Sequence, residues 1–134
     1  FIGILFTVDK YEYFAPLSSP KIKHIHMKNN IDVIKIDNGN YGVVNFNNMI
    51  PVGSNNYELF NLKAVPKNTY ELKWQNLLKT QLLWLNKNIK IVKGKAMKLY
   101  EMYKNDTLPE RIKLRCCNFI LLEEKCKEYN KIIN

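Results

Sequence analysis

Apolar and polar residues change their spacing once along this chain, near Lys67. Before that point, β-branched and aromatic residues come in short runs broken by turn formers. Phe1–Val8 and Tyr11–Ala15 read as two strands of a hairpin, with Asp9-Lys10 as the two-residue turn. Ile31–Ile36 and Asn40–Phe46 read as a second pair. Asn38-Gly39 between them tolerates the positive φ that a tight hairpin turn needs. Met49–Val52 is a further short strand. After Lys67 the period lengthens to that of a helix. Thr69 is placed to cap it, and Glu71 puts an acid in its first turn. Tyr70, Trp74, Leu77, Leu78 and Leu85 form an apolar face. Ile89, Val92, Ala96, Leu99 and Tyr103 extend the pattern past a break expected near Gly94. Pro109 suits the first turn of a third helix, Glu110 to about Cys116, and Asn118 suits the N-cap of a last helix running through Lys131.

These elements make one α+β domain over residues 1–134, β-rich from 1 to 66 and helical from 67 to 134. A half built of hairpins cannot cover its own edges. It is therefore expected to curl into a small, strongly bent antiparallel β-barrel with three or four helices packed on one side. A chain of 134 residues is long enough to bury about two-thirds of its unfolded surface. No run approaches the ~20 apolar residues of a membrane span, and no signal-peptide pattern is evident. The chain opens inside a strand pattern and without Met, so an N-terminal strand upstream of Phe1 is expected.

Charge adds a partner to this picture. The net charge is +9, carried as +2 on residues 1–68 and +7 on residues 69–134. All but Arg111 and Arg115 of the 21 basic residues are lysine, a hydrated point charge that suits a phosphate backbone better than bidentate base reading. Nucleic acid is the expected polyanion. An anionic membrane is the weaker rival, and plain solubility the bland alternative. Cys116 and Cys117 are vicinal and Cys126 is the odd third. That pattern fits reduced thiols in a cytoplasm and no structural zinc site.

Chemistry concentrates in Ala15-Pro16-Leu17-Ser18-Ser19-Pro20-Lys21. Its prolines are expected to stay out of the ladder and make a rigid strand exit that presents Ser18, Ser19 and Lys21 to a phosphate. Metal-free RNA cleavage needs an activated 2′-hydroxyl, charge stabilisation on the phosphorane and protonation of the 5′ oxygen; a lysine and two hydroxyls supply the second of these. A Ser-Ser-Pro turn with a solvated lysine is the commoner reading of such residues alone. His24 and His26 alternate like metal ligands on a strand, yet no carboxylate or cysteine completes a site. They read instead as surface histidines of a basic loop that, with Lys23 and Lys28, touches RNA. Lys87, Lys90, Lys93, Lys95 and Lys98 fall around a helix rather than along one face. Tyr11, Tyr13, Tyr41 and Phe46 can stack bases or fill a core, the core being the usual role. Glu123 and Glu124 point about 100° apart on a helix, so they read as favourable charge near its N-terminus rather than as a catalytic pair.

Four blocks also resemble a known family in order along the chain: Phe1-Ile2-Gly3, Ala15–Lys21, Met49-Ile50-Pro51 and Cys117-Asn118-Phe119 through Glu123-Glu124-Lys125. They are similar to the ToxN/AbiQ family, the endoribonuclease toxins of type III toxin–antitoxin (abortive infection) systems. The resemblance implies a Kid/MazF-like toxin fold. It also implies metal-independent, cofactor-free, sequence-selective cleavage of single-stranded RNA to 2′,3′-cyclic phosphate and 5′-hydroxyl ends. By the same resemblance Ser19 would position the scissile phosphate, Ser18 would assist, and Lys21 would stabilise the developing charge. Asn118 and Phe119 would fix the last helix. The implied partner is a small repeated pseudoknot RNA antitoxin in a protein–RNA ring, and the implied location is the bacterial cytoplasm. Ser18 stands where the family often has threonine. The tyrosine and lysine that the family carries just before its Phe-Ile-Gly strand would fall upstream of Phe1. The rival reading is a non-catalytic basic RNA-binding module.

Overall fold

The computed structural model describes residues 2–133, so Phe1 of the expected first strand lies outside the described residues. Strand β1 (Gly3–Val8) pairs antiparallel with β2 (Tyr11–Ser18) from Gly3–Pro16 to Val8–Tyr11. Asp9 takes φ 56 in the tight turn between them. β2 runs three residues beyond the expected exit at Ala15, carrying Pro16 inside the ladder. The Leu17 N–H donates to the Ile2 carbonyl at 2.9 Å. In the alternation of a strand, the N–H that Pro16 lacks would therefore face the opposite edge.

On that opposite edge the neighbouring chain is interrupted. β4 (Val43–Asn45) pairs with Leu17 and Ser18, and β5 (Ile50–Pro51) with Tyr13 and Phe14. From Leu17–Val44 to Phe14–Ile50 is three residues along β2 but six along its partner. The 3₁₀ turn Phe46–Asn48 takes up the difference. β3 (Val33–Lys35) completes the sheet beside β4. β3 and β4 are shorter than expected at both ends, and a 3₁₀ turn at Asp37–Gly39 occupies the connection, with Asp37, Asn38 and Gly39 all at positive φ.

The sheet order is β1-β2-β4-β3, with β5 also on β2. It does not close into the expected barrel. Three-residue strands at the β3 end are too short to wrap round to β1, and helices cover the inner face instead. Those helices are α3 (Ile89–Lys104) and α5 (Phe119–Ile133), whose Val92, Ala96, Leu99, Tyr100 and Phe119 pack with Phe6, Val8, Tyr13, Ala15 and Val44. Tyr13 and Phe46 are thus core residues rather than stacking platforms.

Five helices occur among the described residues, α1 (Ile22–His26), α2 (Thr69–Lys87) and α4 (Glu110–Lys113) besides these two. Asn68, rather than Thr69, caps α2, accepting the Glu71 N–H at 2.9 Å. The face of α2 that docks is Gln75, Leu78, Gln81 and Leu85; Tyr70 and Trp74 are exposed. The glutamines are buried because they bond loop carbonyls, Gln75 those of Leu62 and Ala64 and Gln81 that of Tyr41. The helical run breaks at Asn88, whose amide donates to the Trp84 carbonyl at 2.8 Å, and Gly94 stays within α3. Pro109 is the N-cap residue of α4, which ends three residues short of Cys116. Asn118 accepts the Leu121 N–H at 3.2 Å at the head of α5.

Glu123 departs from the expected helix-terminus charge. It is buried and accepts from the hydroxyls of Tyr13 and Tyr100, each at 2.8 Å. A buried carboxylate needs such donors. Burial, reinforced by the bond to Glu123, raises the pKa of both tyrosines. No helix among the described residues is long and apolar enough to cross a membrane.

Candidate functional site

Side chains along β2 alternate between the two faces of the sheet. Tyr13 and Ala15 are buried against the helices; Phe14, Pro16 and Ser18 lie on the other face. Asn45 on β4 lies beside Ser18 there, and its Nδ2 donates to the Ser18 Oγ at 2.6 Å. A hydroxyl offers one proton and two lone pairs. With Asn45 donating, the Ser18 proton remains to be given to another acceptor, such as a phosphate oxygen. Gly42 makes this approach possible. It sits at φ +91, and a Cβ there would fall 1.9 Å from the Ser18 carbonyl oxygen.

Beside Ser18 the sheet opens into a 430 Å³ hollow. Phe14, Pro16, Leu17 and Ile50 line its apolar part, and Asn45 and Asn48 its polar part. The turn that carries Asn48 is pinned from far along the chain. Asn47 donates to Asp32 Oδ2 at 2.8 Å, and the Cys117 N–H donates to the Asn47 carbonyl at 2.8 Å. Asp32 is buried and held bidentately by Arg115, Nε to Oδ2 at 2.7 Å and Nη2 to Oδ1 at 2.8 Å. Burial alone would raise the Asp32 pKa. The bonds from Arg115 and Asn47 outweigh it and hold the carboxyl below its ordinary value.

Ser19 and Lys21 are exposed where the chain leaves β2. The backbone of Lys21 is fixed from both sides by His24: its N–H donates to the His24 Nδ1 at 3.1 Å, and its carbonyl accepts the His24 N–H at 2.9 Å. Nδ1 must be unprotonated to accept, which makes His24 neutral with its proton on Nε2. Burial lowers its pKa, and the charges of Lys23 and Lys21 add to the effect.

This corrects the reading of His24 as a surface residue. The segment is a short helix rather than a loop, and only 3 % of His24 is exposed. Two positions apart on a helix, His24 and His26 point nearly opposite ways and do not converge on a metal. Among the described residues no group of three or more His, Cys, Asp or Glu is arranged to hold a metal ion. Lys23, His26 and Lys28 are exposed around the same helix. Its C-terminal end is held by Lys35, whose Nζ donates to the carbonyls of Ile25 at 3.1 Å and Met27 at 2.9 Å. Gly39, at φ +90, lets the neighbouring turn approach within 2.4 Å of the His24 carbonyl, measured from where a Cβ would sit.

The structure thus brings Ser18 together with Asn45 and ties Lys21 to His24, with Ser19 exposed between them. The second basic group lies elsewhere. Lys87, Lys90, Lys93 and Lys98 are exposed on α2 and α3, and Lys95 is half-buried. Sequence reasoning missed Asn45, Gly42, Asn48 and the Asp32–Arg115 pair. The one local trace was a polar residue closing the apolar pair Val43-Val44.

Comparison with known proteins gives one consistent result. Residues 1–127 match the family model described as toxin ToxN, type III toxin–antitoxin system. The chain is 30 % identical over 135 residues to an endoribonuclease ToxN of Bacillus thuringiensis subsp. kurstaki, covering 98 % of this chain and 69 % of that protein. It is 31 % identical over 137 residues to an endoribonuclease ToxN of Pectobacterium atrosepticum, covering 98 % and 75 %. One similar solved structure comes from work on selective toxin inhibition by a non-coding RNA pseudoknot in bacterial type III toxin–antitoxin systems; it has a TM-score of 0.70 at 28 % identity, covering 96 % of this chain and 77 % of that one. Another, from work on a processed non-coding RNA that regulates a bacterial antiviral system, has a TM-score of 0.74 at 27 % identity, covering 95 % and 76 %.

Proposed function

We propose, from the premise that this chain belongs to the ToxN family of endoribonuclease toxins in type III toxin–antitoxin systems, that it cuts single-stranded RNA without a metal ion, by attack of a 2′-oxygen on the adjacent phosphorus. The new O2′–P bond forms as the P–O5′ bond breaks. The 2′-hydroxyl loses its proton and the leaving 5′ oxygen gains one, leaving a 2′,3′-cyclic phosphate and a 5′-hydroxyl. Ser19 positions the scissile phosphate, Ser18 donates to it, and the Lys21 ammonium offsets the charge that builds on the phosphorane oxygens. The observation that carries this reading is the Asn45 bond to Ser18, which leaves the serine a proton to give.

Exposed Lys23, His26 and Lys28 beside that exit support contacts to the RNA backbone. His24 enters the same surface indirectly, through its hold on Lys21. The partner proposed is a small structured antitoxin RNA, a repeated pseudoknot, that joins protein chains into a closed protein–RNA ring in the bacterial cytoplasm. A Kid/MazF-like relationship of the bent, open sheet belongs to the same proposal; the pairing of β2 with β1, β4 and β5 supports it.

The test maps cut ends on RNA in EDTA for the natural protein and for Ser19→Ala. Ser19→Ala is expected to lose roughly 10²- to 10³-fold in kcat/KM, the scale of one lost transition-state donor. Its thermal unfolding should be unchanged, because the side chain is exposed. RNA binding without cutting by the natural protein would leave only a basic RNA-binding module. Cutting that stops in EDTA and returns with a divalent ion would remove the metal-free chemistry.

A further inference from the structure

The hollow beside Ser18 has a composition that phosphate chemistry does not explain. A phosphate site calls for cations and hydrogen-bond donors, whereas Phe14, Pro16, Leu17 and Ile50 supply mostly apolar surface. Apart from Ser18, its polar groups are amides. Asn45 is engaged with Ser18, while Asn48 is exposed and makes no side-chain hydrogen bond among the described residues. An apolar bed with an amide at its edge is the combination that reads a nucleobase: the bed takes the ring face, and the amide offers a donor and an acceptor side by side to the base edge. A volume of 430 Å³ lies in the range of pockets that hold a small ring system.

Position narrows the occupant further. Ser18 borders the hollow, so a base seated there belongs to a nucleotide next to the phosphate that Ser18 contacts. The presenting turn is also rigid. Asn47, between Asn45 and Asn48, is bonded through its side chain to Asp32 and through its carbonyl to Cys117. A reading group must keep its place to discriminate. Resting on the endoribonuclease reading, we infer that this hollow is a nucleobase subsite flanking the cut, and that Asn48 is a specificity-determining residue that recognises the edge of the base held there.

The experiment cuts a randomised single-stranded RNA pool with the full-length natural protein, Asn48→Ala and Ile50→Trp, and sequences the ends. Asn48→Ala is expected to level the base preference at one position beside the cut by about tenfold, leaving other positions alone. Ile50→Trp, which fills the hollow from an exposed position, is expected to slow cutting of the whole pool by at least about tenfold. If the natural protein cuts and Asn48→Ala keeps its preference at every position, the subsite assignment is overturned whatever Ile50→Trp does. A loss of rate in Asn48→Ala with an unchanged preference profile overturns it equally. A natural protein that leaves the pool uncut overturns the endoribonuclease reading instead, and the subsite with it.

Discussion

Two hydroxyls five residues apart on β2 face opposite ways and meet opposite partners. Tyr13 is fully buried, in edge contact with Tyr100 and Phe119 at 5.8 and 6.1 Å between ring centroids, and its hydroxyl donates to the Glu123 carboxylate. Its proton is committed to an acceptor, and no further molecule can reach it. Ser18 is half-buried and receives a hydrogen bond from the Asn45 amide. Its proton has no such commitment. The sign of the partner, acceptor or donor, makes the first hydroxyl part of the framework and the second available for chemistry. One strand can carry both because alternation keeps them on separate faces.

The largest effect that would sharpen this contrast belongs to the closed face. Glu123→Ala leaves the buried hydroxyls of Tyr13 and Tyr100 without their acceptor, and should lower unfolding stability by about 3 kcal/mol. The fraction that remains folded should cut RNA at the natural rate. Denaturant titration read beside single-turnover cleavage tests this, and a rate that falls with full folding retained would erase the division between faces. The next effect belongs to the open face. Asn45→Asp puts an acceptor where a donor stood, so Ser18 would donate inward as Tyr13 does. Cleavage should drop roughly tenfold, about 1.4 kcal/mol, while stability changes by less than that. An unaltered rate would mean that the Ser18 proton plays no part.

The smallest effect concerns pH. The His24 pKa is lowered in the folded chain from the model-peptide value of 6.5. Between the folded and unfolded values the unfolded chain therefore binds more protons. The stability His24 contributes is complete above about pH 6.5 and is lost as pH falls through the lowered folded value. Thermal unfolding across that range should slope for the natural protein and flatten in His24→Asn. Identical slopes would place the dependence on other groups.

Several of these features are legible in the sequence alone. The turns are: Asp9 and Asn38 adopt the positive φ that their short polar side chains tolerate. The Asn118 cap is also legible, since a cap acts within one turn. Features decided across long separations are not. Gln75 and Gln81 look like surface residues until the carbonyls that pair with them are known, which is why the docked face of α2 is rotated away from Tyr70 and Trp74. Glu123 looks like a helix-end charge until two tyrosines, 110 and 23 residues away, are placed around it. Pro16 looks like a strand breaker until its missing donor is seen to face a break in the neighbouring ladder. At the site, Ser18, Ser19 and Lys21 stood out in the sequence. Asn45 and Gly42 act only through the register that sets β4 beside β2, and local sequence carries no record of that register.

The clasp between Asp32 and Arg115 has a consequence in time. The two residues are 83 positions apart, and Cys117, whose N–H donates to the Asn47 carbonyl, lies 70 positions from it. Contacts of such separation form late in folding, and a ribosome delivers the N-terminal partner first. The turn bearing Asn48 therefore gains the last of its supports only after the chain has been synthesised through Cys117. Until then a growing chain holds its serines and lysine on a surface that lacks its final brace.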